Sequence, residues 1–124
     1  MRRFATEVLS ARNVEMRWSL DDAGRDLQLD AELRRQVYLI FKEAVHNVAR
    51  HSGATETHIA LQVQERLLTL EVNDNGRGIE CWEAGEGNGL KSMKLRAAKL
   101  RGALEIRSAQ GQGTTVILIT PLPV

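Results

Sequence analysis

The sequence predicts an α+β protein: a two-layer sandwich in which a mixed, mostly antiparallel sheet carries helices on one face. Three observations predict it. Apolar residues recur at helical spacing over residues 31–51, alternation with period two marks strands such as 14–20 and 67–73, and short turns join the later strands in pairs, as antiparallel neighbours require.

Taken in order, residues 3–12 form a short helix. Val14, Met16, Trp18 and Leu20 alternate with Glu15, Arg17 and Ser19, a half-buried strand. Residues 21–30 are a polar loop, and Asp30 is placed to cap a helix whose first turn carries Glu32. That long helix runs from Ala31 to His51, with Leu33, Val37, Ile40, Phe41, Ala44 and Val48 as its core stripe and Gly53 as a left-handed stop. Ile59, Leu61 and Val63 mark a second strand, Gln64-Glu65-Arg66 a tight connection, and residues 67–73 a third strand. A glycine-rich segment from Gly76 to Gly89 leads to a helix over Leu90–Arg101, with Leu90, Met93, Ala97 and Leu100 on one side and Gly102 behind it. Residues 103–108 and 114–120 are the last strands, separated by Gly111-Gln112-Gly113.

Composition narrows the function. The 124 residues suit one domain, and with 43% hydrophobic but only 4% aromatic residues the core is built from Leu, Ile, Val and Ala. Seventeen Lys and Arg against sixteen Asp and Glu argue against a nucleic-acid binder, which shows a basic excess. The single cysteine, Cys81, excludes an internal disulfide and a multi-cysteine zinc site. No signal peptide or membrane-length apolar run is visible, so the expectation is a cytoplasmic segment that makes no membrane contact of its own.

The most informative feature is Asp74-Asn75-Gly76-Arg77-Gly78. Leu68, Leu70 and Val72 share one strand face, and period two puts Asp74 on it as well. A carboxylate aimed at the core needs a donor. Arg77 is the one basic side chain close in sequence and lies beyond a glycine turn, so a ligand amine is the alternative. An Asx turn at Asp74 is the plainer reading of the same residues. Glu43 and Asn47, four apart, stack on one helix face, with Arg50 and His51 a turn further along. Such a stripe fits a solvated face or the wall of a cleft, and an amide oxygen is a hard ligand suited to magnesium. Gly85-Glu86-Gly87-Asn88-Gly89 stands before a helix, where backbone amides favour anions; it fits a phosphate cradle under a mobile cover or a surface loop. Gly111-Gln112-Gly113-Thr114-Thr115 fits a hairpin turn, with Thr114 able to add a hydroxyl to a ligand network.

The order and spacing of these four motifs resemble the Bergerat ATP-binding fold of gyrase, its chaperone relatives, histidine kinases and mismatch-repair ATPases. FKEAVHNVARHS holds the asparagine box, DNGRG the first glycine box, GNGL the second and GQGTTV the last. GNGLKSMKLRAAKLRGALEIRSAQGQGTTV is most similar to the catalytic domain of sensor histidine kinases in the nitrate-sensor subgroup, and the resemblance spans roughly residues 14–120.

The resemblance implies that Asp74 accepts from the adenine amine, that Gly76 and Gly78 let the backbone pass the base, and that Thr114 reaches the base through its hydroxyl, with Thr115 beside it. It implies that Asn47 holds magnesium bridging the ATP phosphates and that Arg50 and His51 meet phosphate or ribose. Gly87, Gly89 and Leu90, at the start of the second helix, would cradle the phosphate tail, and Glu43 would be the catalytic acidic residue. No P-loop or dinucleotide fingerprint occurs.

The implied activity is transfer of the γ-phosphoryl of Mg-ATP to a histidine on an adjoining dimerisation domain, and from there to a response-regulator receiver. That acceptor domain would precede residue 13, with residues 1–12 as its remnant and 13–124 as the catalytic domain. His46, His51 and His58 are poor acceptors: the first two sit on the presumed nucleotide helix and the third begins a strand. Trp82 reads as a local hydrophobic anchor of the cover, with a contact to the acceptor helix as the alternative. Lys91, Lys94, Arg96, Lys99 and Arg101 read as a solvated helix face, with docking of the acceptor domain or receiver as the alternative. Two other functions use similar residues: a serine kinase of the anti-sigma-factor type, against which the match over 87–116 argues, and a non-catalytic nucleotide- or protein-binding module.

Overall fold

The computed structural model describes residues 1–20, 30–77, 88–109 and 111–122, with the backbone alone for His51, Ser52, Asn88 and Gly89. In chain order the elements are α1 (Arg2–Ser10), β1 (Glu15–Leu20), α2 (Ala31–Asn47), a π-helical turn (Val48–Ser52), β2 (Glu56–Gln64), β3 (Leu67–Asp74), α3 (Asn88–Lys99), β4 (Ala103–Ala109) and β5 (Gly113–Pro121). The strands form one sheet in the order β1-β2-β3-β5-β4. Only β1 and β2 are parallel; the other three pairs are antiparallel. The parallel pair exists because α2 is the crossover between them. The mixed sheet with helices against its apolar face is the α+β sandwich expected, and the loop over 21–29 and the glycine-rich cover over 78–87, with Cys81 and Trp82, lie outside the described residues.

α2 organises the core. Asp30 caps it by accepting from the Leu33 N–H at 2.8 Å, and Val37, Ile40 and Phe41 are fully buried against the sheet. The helix buries more than the predicted stripe, because it also touches α1 and α3; Gln36, Val45 and Asn47 are enclosed too. Trp18 of β1 meets Phe41 edge-on, with centroids 6.2 Å apart. α1 is part of the same body, with Ala5 and Leu9 wholly buried in the common core. It is shorter than expected: Asn13 turns left-handed at φ 59, and the Val14 N–H closes back on the Leu9 carbonyl.

Two further differences are local. The long helix does not stay α-helical to His51; from Val48 it widens into the π turn, which ends at Gly53 in the left-handed conformation (φ 65, ψ 19). α3 begins at Asn88 rather than Leu90, so Gly89 falls inside its first turn. The expected solvated face of α3 is also not uniform. Arg96 donates to Gln36 Oε1 at 3.0 Å, while the Gln36 amide donates to Glu32 at 2.7 Å, tying α3 to α2 through a buried side chain.

No helix among the described residues is long and apolar enough to cross a membrane. The tether gives a stability prediction. Arg96→Ala leaves the buried Gln36 oxygen without its donor and is expected to cost about 1–2 kcal/mol in urea unfolding, whereas exposed Lys94→Ala changes stability by less than about 0.5 kcal/mol. Equal effects at the two positions would remove Gln36–Arg96 from the account.

Candidate functional site

One row of residues crosses the core face of the sheet near the start of β2 and the end of β3: Met16, Thr57, Asp74, Thr114 and Ser108, each paired with the next. The following row on the same face, Trp18, Ile59, Val72, Val116 and Ile106, is apolar throughout. Polar side chains are therefore concentrated at one end of an otherwise oily surface. Connectivity brings the end of α2 to the same place, because only residues 53–55 separate the π turn from β2.

Asp74 is 2% exposed. Its Oδ1 accepts from the Gly76 N–H at 2.8 Å, an Asx turn, but its Oδ2 is buried with no hydrogen-bond partner among the described residues. The plain and the functional readings of this aspartate are thus both present, one on each oxygen. Burial pushes its carboxyl above the ordinary carboxylate value, and the backbone N–H groups of Gly76 and Thr114 oppose that rise. Arg77 is not its counter-charge. The guanidinium lies over Gly53, where a Cβ would stand 2.8 Å from Nε. A carboxylate this enclosed, with one oxygen unpaired, is a site awaiting a donor.

The segment carrying Asp74 is clamped from both sides. Asn75 Oδ1 accepts from the N–H groups of Thr55 and Glu56, and its amide donates to the Thr55 hydroxyl, all at 3.0 Å. On the other side the Gly111 N–H donates to the Arg77 carbonyl at 3.0 Å. Gly113, at φ +90, lies so close that a Cβ there would stand 1.9 Å from the Asp74 carbonyl oxygen.

The remaining expected residues separate into three sets. Asn47 is 5% exposed at the end of α2, Glu43 is half-buried one turn before it, and Thr114 is buried beside Asp74 with its hydroxyl 3.2 Å from that of Ser108. Gly76 is buried in the clamped turn, and Leu90 is half-buried against the core. Arg50 is exposed on the π turn, whose i→i+5 bonding displaces it from the straight helical stripe expected with Glu43 and Asn47. Thr115 is not brought to the site: period two turns its side chain to the opposite face of the sheet, where its hydroxyl accepts from Asn73. Gly78 and Gly87 lie outside the described residues, as does the side chain of His51. His46 belongs to a different seam: its ring stands edge-on to Phe4 of α1 at 5.3 Å, and burial, with the Arg50 charge next, lowers its pKa.

Residues 32–124 match the family described as histidine kinase-, DNA gyrase B-, and HSP90-like ATPase. The chain belongs to this family. The domain that defines the family binds ATP. Among relatives, the sensor histidine kinase LiaS of Bacillus subtilis is 32% identical over 117 residues, covering 94% of this chain and 31% of its own length. The histidine-protein kinase/phosphatase DegS of Brevibacillus brevis is 34% identical over 87 residues, covering 69% of this chain and 22% of its own. The chain thus spans less than a third of the length of these relatives. The fold superimposes on the histidine kinase domain of the blue-light activated kinase of Erythrobacter litoralis with a TM-score of 0.81 at 20% identity, over 98% of this chain and 58% of that one. It also superimposes on full-length ShkA in complex with AMPPNP, with a TM-score of 0.79 at 16% identity, over 99% and 29%.

Two residues at this end of the sheet, Asn75 and Thr57, are not singled out by the sequence motifs. Asn75 sits inside a motif whose aspartate and glycines carry the signal, and its clamp leaves no periodic signal. Thr57 was legible, since it continues the alternation of Ile59, Leu61 and Val63 onto the core face.

Two predictions follow from this geometry. Because burial raises the Asp74 pKa, the stability linked to that group is fully present below the ordinary carboxylate pKa and is lost as pH rises through the folded value. Asp74→Asn removes that loss, so without nucleotide the variant melts above the parent at neutral pH and converges on it toward pH ~4; a variant melting lower at neutral pH contradicts the unpaired carboxylate. Gly113→Ala meets both the positive φ and the Asp74 carbonyl, and is expected to cost at least about 3 kcal/mol in denaturant unfolding.

Proposed function

We propose that this chain is the ATP-binding catalytic domain of a two-component sensor histidine kinase. It presents the γ-phosphoryl of Mg-ATP to a histidine on an adjoining dimerisation domain, with a response-regulator receiver downstream. The observation that carries the proposal is the buried, unpartnered Asp74 Oδ2, an acceptor held ready for the exocyclic amine of adenine. Two facts support it: the relatives named above are histidine kinases by name, LiaS a sensor histidine kinase, and a protein of the same fold, ShkA, holds AMPPNP.

In this reading Asp74 and Thr114 seat the base, and Gly76 and Gly78 keep the backbone low beneath it. Gly87, Gly89 and Leu90 lead the free N–H groups of α3 toward the phosphates. Arg50 and His51 neutralise phosphate charge from the π turn. Asn47 would hold magnesium, with Glu43 one turn behind it to orient the metal's water or the incoming imidazole. Among the described residues no cluster of three His, Cys, Asp or Glu could hold a metal, and magnesium that takes most of its ligands from phosphate and water fits such a site. When bound, the ion supplies charge neutralisation across the phosphates. The protein's own contribution is positioning and electrostatics rather than covalent chemistry. Thr115 is assigned a structural role on the outer face.

The nitrate-sensor-like subgroup is the finer assignment, supported by KEAVHNVARHSGA on α2 and its π turn and by the run from Gly87 to Val116. Residues 1–12 are read as the end of the upstream acceptor helix, whose last turns are α1. We read the domain as cytoplasmic, the compartment that would supply its ATP.

The test is thermal melting of the 124-residue chain with and without Mg-ATP. ATP at about 100 times its Kd is expected to stabilise the fold by about 2.7 kcal/mol. Asp74→Asn abolishes the shift, and Asn47→Ala removes the part that depends on magnesium. No shift at saturating ATP would overturn the nucleotide reading in favour of a protein-binding module. Labelled phosphate should then pass from γ-labelled ATP to a separately supplied dimerisation domain, and failure of that transfer with ATP binding intact would leave a non-catalytic nucleotide module.

A further inference from the structure

The polar row holds a second buried group that the roles above do not use. Thr57 is 0% exposed, and its hydroxyl has no hydrogen-bond partner among the described residues. It stands directly across from Asp74 in the β2–β3 register, on the core face. The other hydroxyls of the row are engaged: Thr114 and Ser108 lie 3.2 Å apart, and Ser108 also donates to the Gly113 carbonyl. Among the described residues, the buried side-chain atoms without a hydrogen-bond partner are Thr57 Oγ1 and Asp74 Oδ2, and they belong to facing residues. Packing does not ask for a hydroxyl at position 57. Its neighbours in the alternation are Ile59, Leu61 and Val63, and valine fills the same shape without burying an unpaired polar atom.

We propose that Thr57 is a base-recognition residue whose hydroxyl donates to ring N1 of adenine while Asp74 Oδ2 accepts from the neighbouring exocyclic amine. The proposal rests on the nucleotide reading above and deepens it. An ionised carboxylate only accepts, and a threonine hydroxyl can donate, so the facing pair offers an acceptor beside a donor. The amine edge of adenine offers the complement, a donor beside an acceptor. Guanine and hypoxanthine reverse both positions, with a carbonyl oxygen in place of the amine and an N–H in place of N1. The pair therefore reads two adjacent atoms of the base, and a purine with the wrong edge leaves both protein groups buried and unpaired. Cross-strand neighbours of this kind have Cβ atoms about 4.5–5.5 Å apart, close enough for one flat ring edge to meet both.

The experiment is calorimetry on the 124-residue chain with ATP and with 1-deaza-ATP, which keeps the amine but carries C–H in place of N1. Thr57→Val is expected to weaken ATP about fivefold and to leave 1-deaza-ATP unchanged, since the contact it removes is already missing from that ligand. Thr57→Ser keeps a hydroxyl and is expected to stay within about twofold of the parent for ATP. Thr57→Val is also expected to melt no lower than the parent without nucleotide, which separates recognition from folding. Equal losses for both ligands would make residue 57 a packing position, and no loss for ATP would remove it from the site; either result overturns this assignment while leaving Asp74 in place. A parent chain that binds no ATP overturns the nucleotide reading itself.

Discussion

The structure is organised around one desolvated carboxylate. Asp74 ends β3 on the face that otherwise carries Leu68, Leu70 and Val72, so the sheet delivers a carboxylate into apolar surroundings, where one oxygen accepts from the Gly76 N–H and the other has no partner among the described residues. Leaving the second oxygen unsatisfied weakens the empty fold, because burial disfavours the charge. The surroundings hold it there nonetheless. Asn75 fastens the turn to the start of β2, the Gly111 N–H fastens it to the next hairpin, and Gly113 brings β5 against the Asp74 carbonyl. The turn is therefore held in place from three directions although one carboxylate oxygen lacks a partner among the described residues.

Most of this was legible in the sequence where it depends on periodicity and caps. The α2 stripe, the Asp30 cap, the strand segments and the inward direction of Asp74 all follow from spacing. What stayed hidden has physical reasons. The π turn arises within VARHS, a segment whose composition is ordinary for a helix, and it moves Arg50 out of line with Asn47. The burial of Gln36 depends on α3 arriving with Arg96 from sixty positions away. Thr115 was grouped with Thr114 because the two are adjacent in one motif, although period two sends them to opposite faces of the sheet.

α1 is sealed into the same body as the site. Its Ala5 and Leu9 are sealed into the common core, and Phe4 meets Tyr38, Phe41 and His46 of α2. Asn47 is the residue after His46. α1 thus packs on both the helix that ends at the site, through aromatic contacts, and the edge strand β1.

The strand order has a consequence for how the protein is made. β5 is last along the chain yet lies inside the sheet, between β3 and β4. Until it inserts, β3 is an open edge, Thr114 and Gly113 are missing from beside Asp74, and the turn lacks one of its fastenings. Contacts this distant in sequence form late, since closing a long loop precedes any gain from it. The polar row is therefore complete only once synthesis has passed β5, and a chain released before it exposes an unpaired backbone edge that invites aggregation.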